Sequence, residues 1–304
     1  MAFPTETVYG LGADAFDAGA VARVFAAKGR PASNPLIVHV SGEDMARTVV
    51  SDWTEDAGRV AAAFWPGPLT LVLPKAGRVP EGVTAGGATV AVRCPDHPIT
   101  LALLEAYGGP LVGPSANVSG GVSPTIAAHV RESLPGADVF VLDGGPCRGG
   151  IESTVLLLGE SPRVLRPGLI GSEELSIVLG RPVADAAAVE ETGPAMSPGV
   201  QGMHYAPRAR AVLFEGELSI PAGAAVVLTL GPGKHAAARG QIEMPTEPHA
   251  YAAQLYAALR EADAMGPELI AIEAPPRTGP VWEAVWDRLR RATAGGPGAG
   301  GEPT

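Results

Sequence analysis

The chain has 304 residues, 46% hydrophobic and 18% charged, with a formal net charge of -10. That apolar share supports one or two sizeable cores and excludes wholesale disorder, while the acidic balance disfavours broad binding to phosphate backbones. Cys94 and Cys147 lack a Cys-x-x-Cys spacing, which excludes a disulfide scaffold, and no apolar run nears the ~18 residues of a membrane span, so a cytoplasmic protein away from membranes is the expectation.

Residues 18–28, AGAVARVFAAK, place Val21, Val24 and Phe25 on one face and predict a helix stopped by Pro31. PLIVHV (35–40) reads as a buried strand, 55–64 as a helix ending before Trp65-Pro66-Gly67-Pro68, and LTLVLP (69–74) and ATVAVRCP (88–95) as strands. ITLALLEAYGG (99–109) is a helix with a glycine stop, and PLVGPSAN (110–117) a strand running into a loop. TIAAHVRESL is expected to be a helix with Ser123 as N-cap and Pro124 in its first turn. VFVLDGG, STVLLLG and PRVLRPG supply three further strands, and SEELSIVLG (172–180) a helix opened by a capping box. Irregular alternation, with neighbouring strands lacking a helix between them, favours an α/β sandwich on a mixed sheet.

From Arg181 to Pro207 the chain becomes small, polar and punctuated by Pro and Gly, and reads as a linker. Strands at ARAVLFEG, GAAVVLTLG and PELIAIEAP, with helices over 249–264 and VWEAVWDRLRRAT, then form a second, more regularly wound α/β unit over 208–293. Residues 294–304 are expected to be a disordered tail.

Two clusters carry polar chemistry. In KGRPASNP (28–35), Lys28 and Arg30 follow a helix end, where they can face one cleft with Asn34; two cations and an amide suit a polyphosphate, though basic residues also favour any helix C-terminus. In GPSANVSGG (113–121), Ser115 and Asn117 leave a strand into a glycine-rich turn that can face a ligand or be a plain turn. Thr89 and Arg93 share a face of one strand, and a buried Arg needs an anion. His39 in its strand reads more readily as a satisfied core residue than as a ligand contact, and Ser153 and Thr154 as a cap or a site. GPGK (231–234) lacks the phosphate-loop spacing and reads as a turn. Absence of HExxH and GxSxG removes the main support for zinc or serine hydrolysis.

FPTETVYGLG, Lys28-Gly29-Arg30 with NPLIVH, WPGPLT, VAVRCPDHP, GPSAN and ESTV, in this order, resemble the YrdC/Sua5 family over residues 1 to about 178; SPGVQGMHYAP (197–207) is similar to the linker motif of its long, Sua5-type form. The resemblance implies a twisted, open mixed-sheet YrdC-like domain (1–180) with a large concave cavity, a linker or lid (181–207), and a smaller Rossmann-like Sua5 domain (208–293). It implies synthesis of L-threonylcarbamoyl-AMP from L-threonine, bicarbonate or CO2, and ATP, with release of pyrophosphate. A transferase complex would take the product to tRNA. Lys28, Arg30, Asn34, Thr89, Ser115, Asn117, Ser123, Arg166 and Tyr205 would hold ATP, with Lys28, Arg30, Ser115 and Asn117 at the reacting phosphates. Thr7, Tyr9, His39, Arg93, Gly113 and Ser153 would hold threonine. Mg²⁺ would accompany the pyrophosphate, with no acidic ligand evident in the sequence.

In that family the opening MAFPTETVYGLG follows a helix and the first half of a strand, so the resemblance implies an exposed strand edge and lowered stability here. Two other readings compete: a carbamoyl-adenylate former of the hydrogenase-maturation type, which would carry a Cys-rich region absent here, and an RNA-binding module, which the acidic charge opposes.

Overall fold

The computed structural model describes residues 1–185, 204–218, 223–233, 235 and 237–294. Most of the expected linker, including SPGVQGM, together with Lys234 of GPGK and the tail from 295, lies outside the described residues. The first unit runs β1 (Ala2–Phe3), β2 (Gly10–Leu11), β3 (Ala13–Asp14), α1 (Ala18–Lys28), β4 (Ile37–His39), α2 (Glu43–Ala46), α3 (Glu55–Phe64), β5 (Leu69–Pro74), α4 (Glu81–Thr84), β6 (Thr89–Arg93), α5 (Pro98–Tyr107), β7 (Leu111–Val112), α6 (Ala127–Ser133), β8 (Thr154–Leu157), β9 (Arg163–Arg166) and α7 (Ser172–Leu179). The second runs β10 (Arg210–Phe214), β11 (Ala225–Leu230), β12 (Gly240–Met244), α8 (Pro248–Ala264), β13 (Leu269–Glu273) and α9 (Pro280–Thr293).

Seven strands form one mixed sheet in the order β3-β7-β4-β6-β5-β8-β9. Its two faces follow from the period-two alternation of strand side chains. Val38, Leu69, Leu71, Leu73, Val90, Val92 and Leu156 point into the main core, with Val21, Val24, Val60 and Leu175 of the helices. The opposite face carries a small apolar cluster, Ile37, Val72, Ala91 and Val155. On β4 and β6 the residues two further along that face are His39 and Arg93, and the parallel register pairs them directly. The same alternation that builds the core thus delivers two polar side chains side by side.

The second sheet is wholly parallel, in the order β10-β13-β11-β12, and α8 and α9 pack on it. Its core extends into the first unit: Val8, Val122 and Ile151, together with Tyr205 from the linker, belong to the same cluster as Tyr256, Trp282 and Leu289. Gly150, with φ +70°, lets α8 approach so closely that a Cβ there would lie 2.4 Å from the Ala252 carbonyl oxygen.

Several expectations need correction. Residues 139–145 are not a strand of the main sheet; only Val141 forms a bridge, and it does so with Ala2. That segment covers the chain's first strand: the Ala2 N–H donates to the Phe140 carbonyl at 2.7 Å, and the Leu142 N–H to the Ala2 carbonyl at 2.9 Å. Ala2 and Phe3 are fully buried, so the expected exposed edge is covered. Ser123 does not cap α6, which starts at Ala127 after Ile126; its hydroxyl is spent on Glu152. At α7 Gly171 has no side chain for the forward half of a capping box, and only Glu174 reaches back to the Gly171 N–H, at 2.9 Å. Strand β12 escaped sequence reading because only Ile242 and Met244 of GQIEM face inward.

Candidate active site

Residues 5–8 form a turn built on one hydroxyl. Thr5 Oγ1 accepts from the N–H groups of Thr7 and Val8 at 3.2 Å and donates to the Val8 carbonyl at 2.7 Å. The turn aims Thr7 Oγ1 at Arg93, whose Nη1 donates to it at 2.9 Å; Arg93 Nε donates to the Gly67 carbonyl at 3.2 Å. Arg93 Nη2 also lies 2.6 Å from Glu6 Oε1 as a buried ion pair. The angle is poor for a hydrogen bond, and both Glu6 oxygens and Arg93 Nη2 retain unspent bonding capacity. The arginine is therefore charge-compensated from behind, with donor capacity left over.

His39 beside it is fully buried, and burial followed by the Arg93 cation pushes its pKa down to about 3. The ring is neutral at physiological pH and can accept or donate one hydrogen bond. Phe3 meets its edge at 5.3 Å between centroids, and Gly113 abuts both rings.

Cations gather around the cavity. Arg30 is fixed by Nε to the Asn34 carbonyl at 3.0 Å and Nη2 to the Pro35 carbonyl at 2.8 Å. Burial, with Arg166 adding to it against the opposing effect of Tyr205, lowers its pKa to about 10, so it stays cationic at neutral pH. Lys28 Nζ donates to the Ser115 and Asn117 carbonyls at 2.5 Å each; burial and then Arg30 hold its pKa well below the ordinary lysine range. Arg166 donates through Nε and Nη2 to the Ser153 carbonyl and through Nη2 to its hydroxyl at 3.1 Å. Ser153 also bonds Thr70 at 2.8 Å.

Glu152 is the carboxylate among these cations. Oε1 accepts from Ser123 at 2.7 Å; Oε2 accepts from the Tyr256 hydroxyl at 2.8 Å and from Arg288 Nε at 2.9 Å. Burial pushes its pKa up, but the Arg288 and Arg166 cations and the hydrogen bonds from Ser123 and Arg288 more than reverse it, to about 2. Tyr205, with φ +60°, is buried between the units, stacked on Tyr256 at 5.6 Å and lying 5.4 Å from the Arg288 guanidinium.

These groups line a partly open cavity with about 530 Å³ of non-atom space, part of it open to solvent. Of the residues singled out from sequence, Thr7, Arg30, His39, Arg93, Gly113, Ser115, Ser153, Arg166 and Tyr205 line it. Lys28, Asn34, Thr89, Asn117 and Ser123 do not. Lys28 lies beneath the Ser115 loop, Asn34 supports Arg30, and Ser123 supports Glu152, which does line the cavity. Asn117 Nδ2 bridges the Val118 and Gly121 carbonyls at 2.8 Å each, and Thr89 begins β6, two residues before Ala91. Tyr9 is also absent from the lining, its hydroxyl donating to the Gly145 carbonyl at 2.8 Å.

Sequence reasoning gave no role to Glu6 or Glu152 and passed over Tyr256 and Arg288. Arg288 carried a usable signal, since it falls on the apolar face of α9 with Val281, Val285 and Leu289, where a charge requires a partner. For Mg²⁺, the described residues contain no group of three His, Cys, Asp or Glu. Among the described residues, the one carboxylate lining the cavity has both oxygens bonded, and this set does not fit a protein-held metal ion.

Comparisons with known proteins agree with this architecture. A family model for Sua5, YciO and YrdC, described as telomere recombination, matches residues 1–168, and one described as the threonylcarbamoyl-AMP synthase C-terminal domain matches 170–294. A threonylcarbamoyl-AMP synthase of Pyrococcus abyssi is 41% identical, the match covering 96% of this chain and 90% of that protein. The corresponding Bacillus subtilis protein is 39% identical over 97% and 89%. A crystal structure of P. abyssi Sua5 complexed with L-threonine superposes with a TM-score of 0.87 at 40% identity, covering 96% of this chain and 89% of that one.

Proposed function

The chain belongs to the Sua5/YciO/YrdC family in its long, Sua5-type form and is a threonylcarbamoyl-AMP synthase, and from that premise we propose which residues carry each half of the reaction. The observation that supports the assignment is the pairing of His39 with Arg93 at one part of the cavity and the approach of Arg30 and Arg166 elsewhere in it.

Threonine lies against β4 and β6. Arg93 pairs with its carboxylate through the donor capacity left over from Thr7, Gly67 and Glu6. Thr7, His39, Ser153 and the backbone at Gly113 meet its hydroxyl and amine, with neutral His39 able to receive an N–H. The neutral amine adds to the carbon of CO2, supplied as such or by dehydration of bicarbonate, and gives up one proton to solvent to leave a carbamate. A carbamate oxygen then attacks the α-phosphorus of ATP, and the bond to the pyrophosphate oxygen breaks.

Attacking and attacked groups are both anionic, so charge neutralisation and positioning provide most of the acceleration. Arg30, Arg166 and Ser115 supply it at the cavity surface, and Lys28 and Asn117 hold the Ser115 loop from below. Tyr205 closes over the nucleotide and keeps water from the mixed anhydride. Mg²⁺ enters only as a companion of the triphosphate. The product passes to a tRNA-modifying transferase.

The two halves separate kinetically. Arg93→Ala is expected to raise KM for L-threonine at least about tenfold with KM for ATP nearly unchanged, and Arg30→Ala to do the reverse. Equal effects of both variants on both substrates would remove the assignment.

A further inference from the structure

A fully ionised carboxylate is an odd lining for a cavity that takes a triphosphate, since like charges at close range oppose binding. Glu152 is tolerable there because of the second unit. Arg288 and Tyr256, from α9 and α8, both bond Glu152 Oε2. Arg288 further reaches the Glu152 carbonyl at 3.3 Å and the Pro167 carbonyl at 3.0 Å, tying the segments that carry Ser153 and Arg166. Its side chain is entirely buried, and Asp287 at 2.7 Å shares its charge. The contact is inflexible on the other side too, because α8 lies against Gly150 with no space for a Cβ. Glu152 in turn holds the Ser123 hydroxyl at 2.7 Å.

We propose that the second unit supplies the counter-ion of the nucleotide site: Arg288 neutralises and aims Glu152 so that a nucleoside triphosphate can bind beside Arg30 and Arg166. Arg288 is thus a positioning residue, acting on ATP through Glu152 without touching it. Removing its charge leaves a buried carboxylate facing the phosphates, so ATP affinity falls. Threonine, held around Arg93, is much less affected. The role depends on the interaction of the two charges, so it vanishes once Glu152 carries none.

The proposal rests on the nucleotide placement proposed above, and the test separates the two. Dissociation constants for ATP are measured by calorimetry on the full chain without threonine or bicarbonate, so that nothing turns over. Arg288→Gln is expected to weaken ATP about tenfold in the native background and less than about twofold in a Glu152→Gln background. Equal weakening in both backgrounds, or none in either, overturns the proposal. If Arg288→Gln does not fold alone, the double variant is compared with Glu152→Gln. Agreement within about twofold supports the counter-ion role, and a tenfold gap overturns it. Arg30→Ala is the control: unchanged ATP affinity there means the nucleotide lies elsewhere, a failure of the placement rather than of the charge pairing.

Discussion

Gly113→Ala is the most direct probe of how the fold builds the threonine pocket. Gly113 follows β7, and its N–H donates to the Ile37 carbonyl at 2.9 Å, which pins it against β4. A Cβ there would lie 2.6 Å from His39 Nδ1, 2.7 Å from His39 Cε1 and 2.7 Å from Phe3 Cζ. Ordinary contact begins near 3.4 Å, so one methyl group overlaps three ring atoms. Neither ring can swing aside: Phe3 is 0% and His39 2% exposed, and each packs on the other edge to face. Overpacking of this kind costs about 1–3 kcal/mol. For a chain of this size each kcal/mol lowers Tm by about 2–4 °C. The displaced ring is proposed above to contact threonine, so KM for threonine is expected to rise about tenfold while KM for ATP moves little. Thermal unfolding and pyrophosphate release at varied threonine read both effects. A Tm within about 1 °C of wild type together with an unchanged threonine KM would refute the packing account.

Three further outcomes follow from the same geometry. Arg93→Met leaves Glu6 buried without a cation and is expected to cost about 3–5 kcal/mol in urea unfolding; adding Glu6→Gln should recover part of the stability but none of the threonine affinity. His39 has its folded pKa lowered from 6.5 to about 3, so the unfolded chain binds the extra proton first. Its contribution to stability is full above pH 6.5 and is lost as pH falls toward 3, with a slope of about 1.4 kcal/mol per pH unit that His39→Asn should abolish; no change of slope would contradict the buried neutral ring. Tyr205→Ala is expected to release AMP from the mixed anhydride faster, followed by chromatography of the products; an unaltered product lifetime would remove the closing role.

Much of the first unit was legible because its helices and strands carry clean periods. AGAVARVFAAK and LTLVLP fall on α1 and β5 residue for residue. The cavity-lining residues His39 and Arg93 were readable through the family resemblance, whereas their side-by-side placement comes from the register of β4 on β6. Two kinds of information were not. Residues 139–145 have a strand composition but cover the first strand as an irregular segment, a choice made by tertiary packing rather than local propensity. The Glu152–Arg288 pair spans 136 residues and two units, and nothing local to ESTV announces its partner. Ser123 shows the same limit: it has the sequence position of a helix cap, but a buried carboxylate far along the chain takes its hydroxyl.

The central claim is tested most directly by pyrophosphate release from ATP in the presence of bicarbonate, comparing L-threonine, L-serine and no amino acid, with the adenylate identified by mass. The account predicts release that requires an amino acid, is faster with L-threonine than with L-serine, and accompanies threonylcarbamoyl-AMP one for one. Release at the same rate without an amino acid, or without that product, would contradict it.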